Sequence, residues 1–233
     1  MTGGRGGAIA VFVKTPGVSP IKTRLAQSIG KDSAERFHLL AARCIESVID
    51  ELRDLRPDVT PYWAVAEKLG LSYPAWDNFD SIFQGEGSLG ERLSLVYDHL
   101  LEKHSFVIFV GADSPQLSST RLIQAIESLI KFSFVIGPAE DGGFYLFGGK
   151  TPIPRQSWLN VTYSSDRTYR LLAENLRKLG SIDELPSLVD IDTFSDLQRL
   201  INQDHREDKL TSKQKALFDW AKDVVLKQGH EKG

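Results

Sequence analysis

The chain has 233 residues, a formal net charge of −3 and a single cysteine. That length suffices for one large α/β domain, or one domain with an extension. The charge balance lacks a long Lys/Arg run and speaks against nucleic-acid binding, the lone Cys44 excludes an intrachain disulfide, and no apolar stretch approaches the roughly 20 residues needed to cross a bilayer.

Met1 to Gly7 is Gly-rich and is expected to be a disordered tail without a signal-peptide pattern, so a cytoplasmic location is expected. Ala8 to Val13 reads as a buried strand, and Lys14 to Gly30 as a long loop punctuated by Pro16, Gly17, Pro20 and Gly30. A helix is predicted from about Asp32 to Asp54, with Phe37, Leu40, Ala41, Cys44, Ile45, Val48 and Leu52 on one face. Cys44 reads as a small buried hydrophobe. Pro57 and Pro61 are expected to bracket a turn before a second strand, Tyr62 to Ala66. Gly70 to Asp80 is irregular, and Ser81 to Phe83 is a short strand candidate.

Gly85 to Ser88 opens a helix with Leu89, Leu93, Val96 and Leu100 inward. Phe106 to Val110 is an apolar, β-branched run of the kind that fills a parallel strand. The next helix has Ser118 or Ser119 as its cap and Leu122, Ile126, Leu129 and Ile130 inward. Phe134 to Ile136 and Phe144 to Phe147 are strands, and Ser164 to Asp166 can cap a helix carrying Tyr169, Leu172, Ala173 and Leu176. Ser181 to Val189 holds a late strand, followed by a helix with Phe194, Leu197, Leu200 and Ile201. Asn202 to Lys209 reads as a linker and Thr211 to Lys227 as a last amphipathic helix whose Trp220 suits either an oligomer interface or packing on the domain. The alternation predicts an α/β fold with a mostly parallel sheet covered on both faces.

Gly111-Ala112-Asp113-Ser114-Pro115 carries the strongest chemical signal. A carboxylate at the carboxyl end of a buried strand stands where open α/β sheets bind ligands, so Asp113 is placed to hold a divalent cation against nucleotide phosphates; the plain alternative is an Asp in a tight turn. Lys14 to Leu25 leaves the first strand and offers turn N–H groups and the cations Lys14, Lys22 and Arg24 to a diphosphate; a solvated basic loop is the alternative. In Glu140-Asp141-Gly142-Gly143, Asp141 can orient an acceptor hydroxyl or act as a base while Gly142 and Gly143 admit a ligand near the backbone; an Asp-Gly hairpin turn competes. Alternation puts Asp190 and Asp192 on one side of an extended stretch, which suits Mg²⁺ or Mn²⁺; Asp192 or Thr193 can equally cap the following helix.

Other signals fail. Gly148-Gly149-Lys150-Thr151 lacks the earlier glycine of a P-loop, and Pro152 and Pro154 stop a following helix. The five histidines (His38, His99, His104, His205, His230) show no zinc-ligand spacing, and no Gly-x-Ser-x-Gly elbow occurs.

The strings VFVKTPGVSPIKTRLA, QGEGSLGERL, GADSPQL, GPAEDGGFYLFG and DIDTFSDL, in this order over most of residues 8–200, resemble a bacterial family (DUF2064). That family belongs to the glycosyltransferase-A, or nucleotide-diphospho-sugar transferase, superfamily. It is also known as transferases associated with radical-SAM and selenium gene neighbourhoods. The resemblance implies a Rossmann-like transferase domain over 8–202; residues 203–233 lie outside it and read as a C-terminal helical extension. It implies a nucleotide-binding loop holding Lys14, Thr15, Lys22, Thr23 and Arg24, with Lys22 and Arg24 at phosphate, and an Arg92 that reaches the diphosphate. Asp113 would be the metal-binding aspartate, completed by Asp190 and Asp192, although the usual Asp-x-Asp is here Asp-Ser-Pro. Trp158 and Tyr163 would touch the acceptor.

The expected activity is metal-dependent transfer from a nucleotide-activated donor to a small-molecule acceptor, with Asp113, Asp141 and Lys22 catalytic and Mg²⁺ or Mn²⁺ as cofactor. Glycosyl transfer from an NDP-sugar leads. Nucleotidyl transfer from an NTP stays open, with Arg155, Arg167 and Arg170 available for a phosphorylated acceptor, as does a non-catalytic nucleotide-binding protein. A homo-oligomer is a further expectation.

Overall fold

The computed structural model describes residues 6–203 and 209–230. The elements in chain order are β1 (Gly7–Val13), α1 (Thr23–Ile29), α2 (Lys31–Leu55), β2 (Val59–Val65), β3 (Asp80–Phe83), α3 (Leu89–Leu101), β4 (Val107–Gly111), α4 (Ser119–Lys131), β5 (Phe134–Pro138), β6 (Phe144–Gly149), α5 (Arg155–Leu159), α6 (Thr168–Arg177), β7 (Ile182–Glu184), α7 (Phe194–Asn202) and α8 (Ser212–His230). Most of the tail expected at the N-terminus, most of the linker at 202–209 and His205 lie outside the described residues; Gly7 is already paired with Val59.

The seven strands run in the order β3-β2-β1-β4-β6-β5-β7, and β6 alone is antiparallel to both its neighbours. Alternation along β1 sorts its side chains between two cores. Ile9, Val11 and Val13 pack under α2 and α4, with Ile45, Ile49, Leu122 and Ile126. Ala8 and Ala10 lie in the opposite core with Leu93, Tyr97, Trp158 and Leu172 from α3, α5 and α6. A third cluster joins α1, α2, α7 and α8 through Leu25, Phe37, Cys44, Ile191, Leu200 and Leu217. Burial there pushes the Cys44 thiol up to about 12, so it is an inert packing residue, as expected.

Several boundaries differ from the sequence reading for identifiable reasons. Helix α1 occupies what reads as loop, since only Leu25 and Ile29 mark its inner face. Pro61 lies inside β2 rather than in a turn. Ala66 donates to Val13, and the Val65 carbonyl accepts from Gln84, so odd-numbered β2 residues face β3. Because β3 pairs only from Tyr62 onward, nothing there needs the N–H that Pro61 lacks. Ile130 is exposed rather than inward, and Leu89 is 43% exposed at the first turn of α3.

Helix α8 packs on the domain. Trp220 stands 6.2 Å from Phe37, with the Arg36 guanidinium 5.9 Å over its ring. The fully buried Gln214 amide donates to the carbonyls of Pro115 and Leu117, at 2.8 Å each, which fixes the turn that follows Asp113. Among the described residues no helix is long and apolar enough to cross a membrane.

Candidate active site

Strand β1 has β2 on one side and β4 on the other, so the connections leaving β1 and β4 diverge. Such a switch point opens a crevice at the carboxyl ends of the strands. The loop from Lys14 leaves β1 there, and Asp113 leaves β4 beside it, next to the pair Phe12–Gly111. A third segment is stapled alongside. The Gln116 amide donates to the Val189 carbonyl at 2.6 Å, and the Ile191 N–H donates to the Asp113 carbonyl at 2.9 Å. Ile191 is fully buried, so Asp190 and Asp192 both point to the other side, toward Asp113, as alternation predicts. The helix cap is Thr193, in a reciprocal box with Asp196.

Lys22 closes the cluster. Its Nζ lies 2.8 Å from Asp113 Oδ1 and 2.7 Å from Asp192 Oδ1, and its side chain is 4% exposed. Burial works against the ammonium, but the two carboxylates more than offset this and raise its pKa. Asp113 is correspondingly held below the ordinary value: its surroundings push it up, and Lys22 followed by His38 reverses that. Lys22 adopts φ 45° and ψ 44°, the left-handed region that side chains avoid. The strain delivers the ammonium between the two carboxylates, the kind of cost that persists where surrounding contacts over-determine a residue.

Asp190, on the same side of the segment, is bound not by Lys22 but by the Ser114 hydroxyl, from which it accepts a hydrogen bond. Burial raises its pKa to about 7, with Ser114 opposing and Asp113 and Asp141 adding to the rise. An unfolded Asp ionises near 3.8, so between these values the native state binds more protons than the unfolded one, and this group subtracts stability as pH rises. Asp190→Asn retains an acceptor for Ser114 and abolishes the ionisation. The variant is therefore expected to gain thermal stability over the wild type at about pH 8 and not at about pH 4.5; the same difference at both values would contradict the assignment.

The carboxylates of Asp113, Asp190 and Asp192 have the oxygen chemistry that Mg²⁺ or Mn²⁺ prefers. Their arrangement does not fit a resident cation. Lys22 takes the position between Asp113 and Asp192, Asp190 faces Ser114, and among the described residues no three Asp, Glu, His or Cys side chains are grouped to hold a metal.

A cavity of about 590 Å³ opens over this cluster, lined by Lys14, Lys22, Thr23, Arg24, Arg92, Asp113 and Asp192. Four cations against two carboxylates leave its wall positive. Arg92 is held there by bonds to the carbonyls of Gly87 (3.1 Å) and Ala66 (3.4 Å). Its neighbour Glu91 turns back into the capping box with Ser88 and pairs with Arg155 at 2.6 Å. The cavity also contains His38 and Gln84, which sequence reasoning missed. His38 Nε2 stands 2.9 Å from the Lys14 carbonyl, which can only accept, so this nitrogen carries the hydrogen. Burial lowers the pKa of His38. Its sole sequence signal is its place beside Phe37 on the inner face of α2.

A second cavity, of about 280 Å³, adjoins the first and shares Phe12, Leu89, Gly111, Asp113 and Ser164 with it. Leu93, Phe109, Phe144 and Tyr163 supply its apolar wall, and Asp141 and Asp190 join Asp113 as its charged groups. Asp141 accepts the Gly143 N–H at 2.9 Å and is exposed at the turn between β5 and β6.

Several expected contacts are corrected. Thr15 is 1% exposed; its N–H binds Glu67 at 2.8 Å and its hydroxyl accepts from Trp76, so it shapes the loop from behind the cavity. Trp158 is fully buried against Phe147 and cannot touch an acceptor. Glu140, which beside Asp141 could also have assisted deprotonation of an acceptor, pairs with Arg199 at 2.5 Å and does not line the smaller cavity. Arg155, Arg167 and Arg170 line neither cavity. Gly142 (φ +91°) is approached by chain, not ligand: a Cβ there would meet the Asp166 backbone at 2.2–2.4 Å. Gly142→Ala is expected to lose roughly 2–4 kcal/mol by chemical denaturation, from overpacking plus strain at positive φ; a loss under about 0.5 kcal/mol, the range of surface substitutions, would contradict the contact.

Residues 62–165 match the model of a family described as an uncharacterized protein conserved in bacteria (DUF2064). The matched segment contains Arg92, Asp113, Asp141 and the apolar wall of the smaller cavity, while the Lys14–Arg24 loop and Asp190–Asp192 lie outside it. No curated protein matches the sequence. Among solved structures, a protein from Desulfovibrio desulfuricans G20, whose own assignment as a nucleotide-diphospho-sugar transferase is provisional, is 23% identical with a TM-score of 0.81, over 95% of this chain and 97% of that one. A 4-diphosphocytidyl-2C-methyl-D-erythritol synthase from Anaerococcus prevotii is 10% identical with a TM-score of 0.54, over 83% and 95% of the two chains. A cytidylyltransferase from Leptospira borgpetersenii is 11% identical with a TM-score of 0.52, over 94% and 96%. At these identities the likeness establishes the fold alone, an α/β fold with a mostly parallel mixed sheet and helices on both faces, as expected from the sequence.

Proposed function

We propose that the chain is a transferase acting on a nucleotide-activated sugar. The observation that carries the reading is the positive 590 Å³ cavity at the switch point, where Lys14, Lys22, Arg24 and Arg92 surround the turn bearing Asp113. Its size suits a small-molecule site, and its cations suit a diphosphate. The fold shared with the Desulfovibrio desulfuricans G20 protein, provisionally assigned as a nucleotide-diphospho-sugar transferase, is in keeping with the same donor class.

In this reading the donor's diphosphate lies against the four cations. As the bond from the anomeric carbon to the diphosphate oxygen breaks, the leaving group takes the electron pair. Charge then grows on the oxygen that Lys22 and its neighbours face, and preoriented cations stabilise that charge. Asp113 and Asp192 fix the Lys22 ammonium in place. Mg²⁺ or Mn²⁺ is the cofactor expected from the sequence; with Lys22 between the carboxylates, every step here is assigned to the protein's own side chains. Nucleotidyl transfer to a phosphorylated metabolite would need cations in the adjoining cavity, which has none among its lining residues.

The test is incubation of the protein with a panel of NDP-sugars and NTPs, with nucleotide products separated by chromatography. Release of a nucleoside diphosphate from one NDP-sugar supports the reading. Pyrophosphate release from an NTP, or tight binding without turnover of any donor and acceptor mixture, overturns it in favour of nucleotidyl transfer or a binding protein.

A further inference from the structure

The smaller cavity constrains the acceptor. Its volume of about 280 Å³ corresponds to roughly nine water molecules at ~30 Å³ each, the room of one monosaccharide or one ring with a short arm. Phe12, Leu89, Leu93, Phe109, Phe144 and Tyr163 form its apolar side. The Tyr163 hydroxyl donates to the Trp158 carbonyl at 3.1 Å, which leaves its ring toward the space. Asp113, Asp141 and Asp190 are the charged groups of its lining, and among the described residues no Lys, Arg or His lines the cavity. Lys22 already pairs with Asp113, so a phosphomonoester dianion placed there would lose its hydration to face Asp141 and Asp190 with no cation on the lining to receive it, which is unfavourable. The wall shared with the larger cavity puts the two contents in contact through Gly111 and Asp113.

We infer that the smaller cavity takes an unphosphorylated acceptor, with an apolar ring or short chain against the aromatic side and a hydroxyl or amine nucleophile against the carboxylates. The inference rests on the proposed donor reading. In the transfer, the nucleophile's lone pair forms the bond to the anomeric carbon while the bond to the diphosphate oxygen breaks. The nucleoside diphosphate leaves with the electron pair, and the nucleophile's proton passes to the carboxylate of Asp141 or Asp190. Apolar contact supplies the affinity and the carboxylates supply the selection, as pockets with a few placed polar groups do. Selection by charge is asymmetric: an anionic analogue is rejected far more strongly than a neutral one that lacks a methylene.

At 26.0 kDa the full chain is accessible to amide NMR. 2-Phenylethylamine, 2-phenylethanol and phenyl phosphate are titrated separately into ¹⁵N-labelled protein. The amine and the alcohol are expected to shift the amides of Gly143, Phe144, Ser165 and Thr168, while phenyl phosphate shifts only those of the Lys14–Arg24 loop. Phenyl phosphate shifting the Gly143–Thr168 set, or neither neutral nor amine probe doing so, overturns the inference. Asp141 is exposed, so Asp141→Lys is compatible with folding; in that variant phenyl phosphate is expected to enter the set, and its continued exclusion overturns the charge argument. UDP and GDP are titrated in parallel. Silence of the Lys14–Arg24 amides with both overturns the donor reading alone, separately from the acceptor result.

Discussion

Lys22→Ala is expected to weaken the binding of a nucleoside diphosphate by about tenfold or more, since a charge-assisted contact contributes ~1.5–3 kcal/mol. Two effects act in one direction. The cavity loses one of its four cations, and Asp113 and Asp192 lose the ammonium that neutralises them beside an incoming anion. Lys22→Arg preserves charge but not position, because a planar fork does not fit a point between two carboxylates at 2.7–2.8 Å. It is expected to fall between the wild type and Lys22→Ala. Calorimetric titration of UDP and GDP checks the order. An unchanged dissociation constant in Lys22→Ala would make the loop structural only.

The second large effect concerns stability. In the double variant Asp113→Asn/Asp192→Asn, the Lys22 ammonium stays buried without an opposite charge. Removing the partners of a buried ion costs about 3–5 kcal/mol, which at this chain length lowers Tm by roughly 6–20 °C. Either single variant leaves one partner and is expected to lose much less. Adding Lys22→Met to the double variant removes the unpaired charge and is expected to restore most of the loss, because the side chain is 4% exposed and apolar filling is tolerated there. A double variant as stable as the wild type would mean that water or another group already solvates the ammonium. The Lys22→Met addition separates that result from general damage to the fold.

How much of this was legible depended on the range of the signal. Asp113 was legible because β-branched residues in Val107–Val110 mark the strand and Gly111 marks its end. The strand-helix alternation gave the doubly covered sheet, and the period-two spacing around Ile191 gave the shared direction of Asp190 and Asp192. Two short helices were not legible, although the short strand β3 was. Helix α1 starts at a left-handed Lys22 without a side-chain cap and shows only two inward positions. Pro154 was read as a stop for a helix, yet it occupies the N-cap of α5, where its fixed φ costs nothing; five residues are too few for a period, so nothing in the pattern marked Trp158 as core, and the resemblance alone had put it at the acceptor. The bridge from Lys22 to Asp192 joins residues 170 apart. A basic residue and a carboxylate at that separation carry no mutual signal in one sequence. The same holds for Gln214 and Pro115, which are 99 apart. Gly142 shows the opposite failure. A glycine beside two carboxylates looked like a ligand approach, and the space it frees belongs to the Asp166 backbone.

A crystal structure of the protein with a bound nucleoside diphosphate tests the donor site most directly. The diphosphate is expected in the 590 Å³ cavity, with oxygens within hydrogen-bond reach of Lys22 or Arg24 and with Arg92 on the same side. A diphosphate bound elsewhere on the protein, with Lys22 still bridging Asp113 and Asp192 beneath an empty cavity, would contradict that placement.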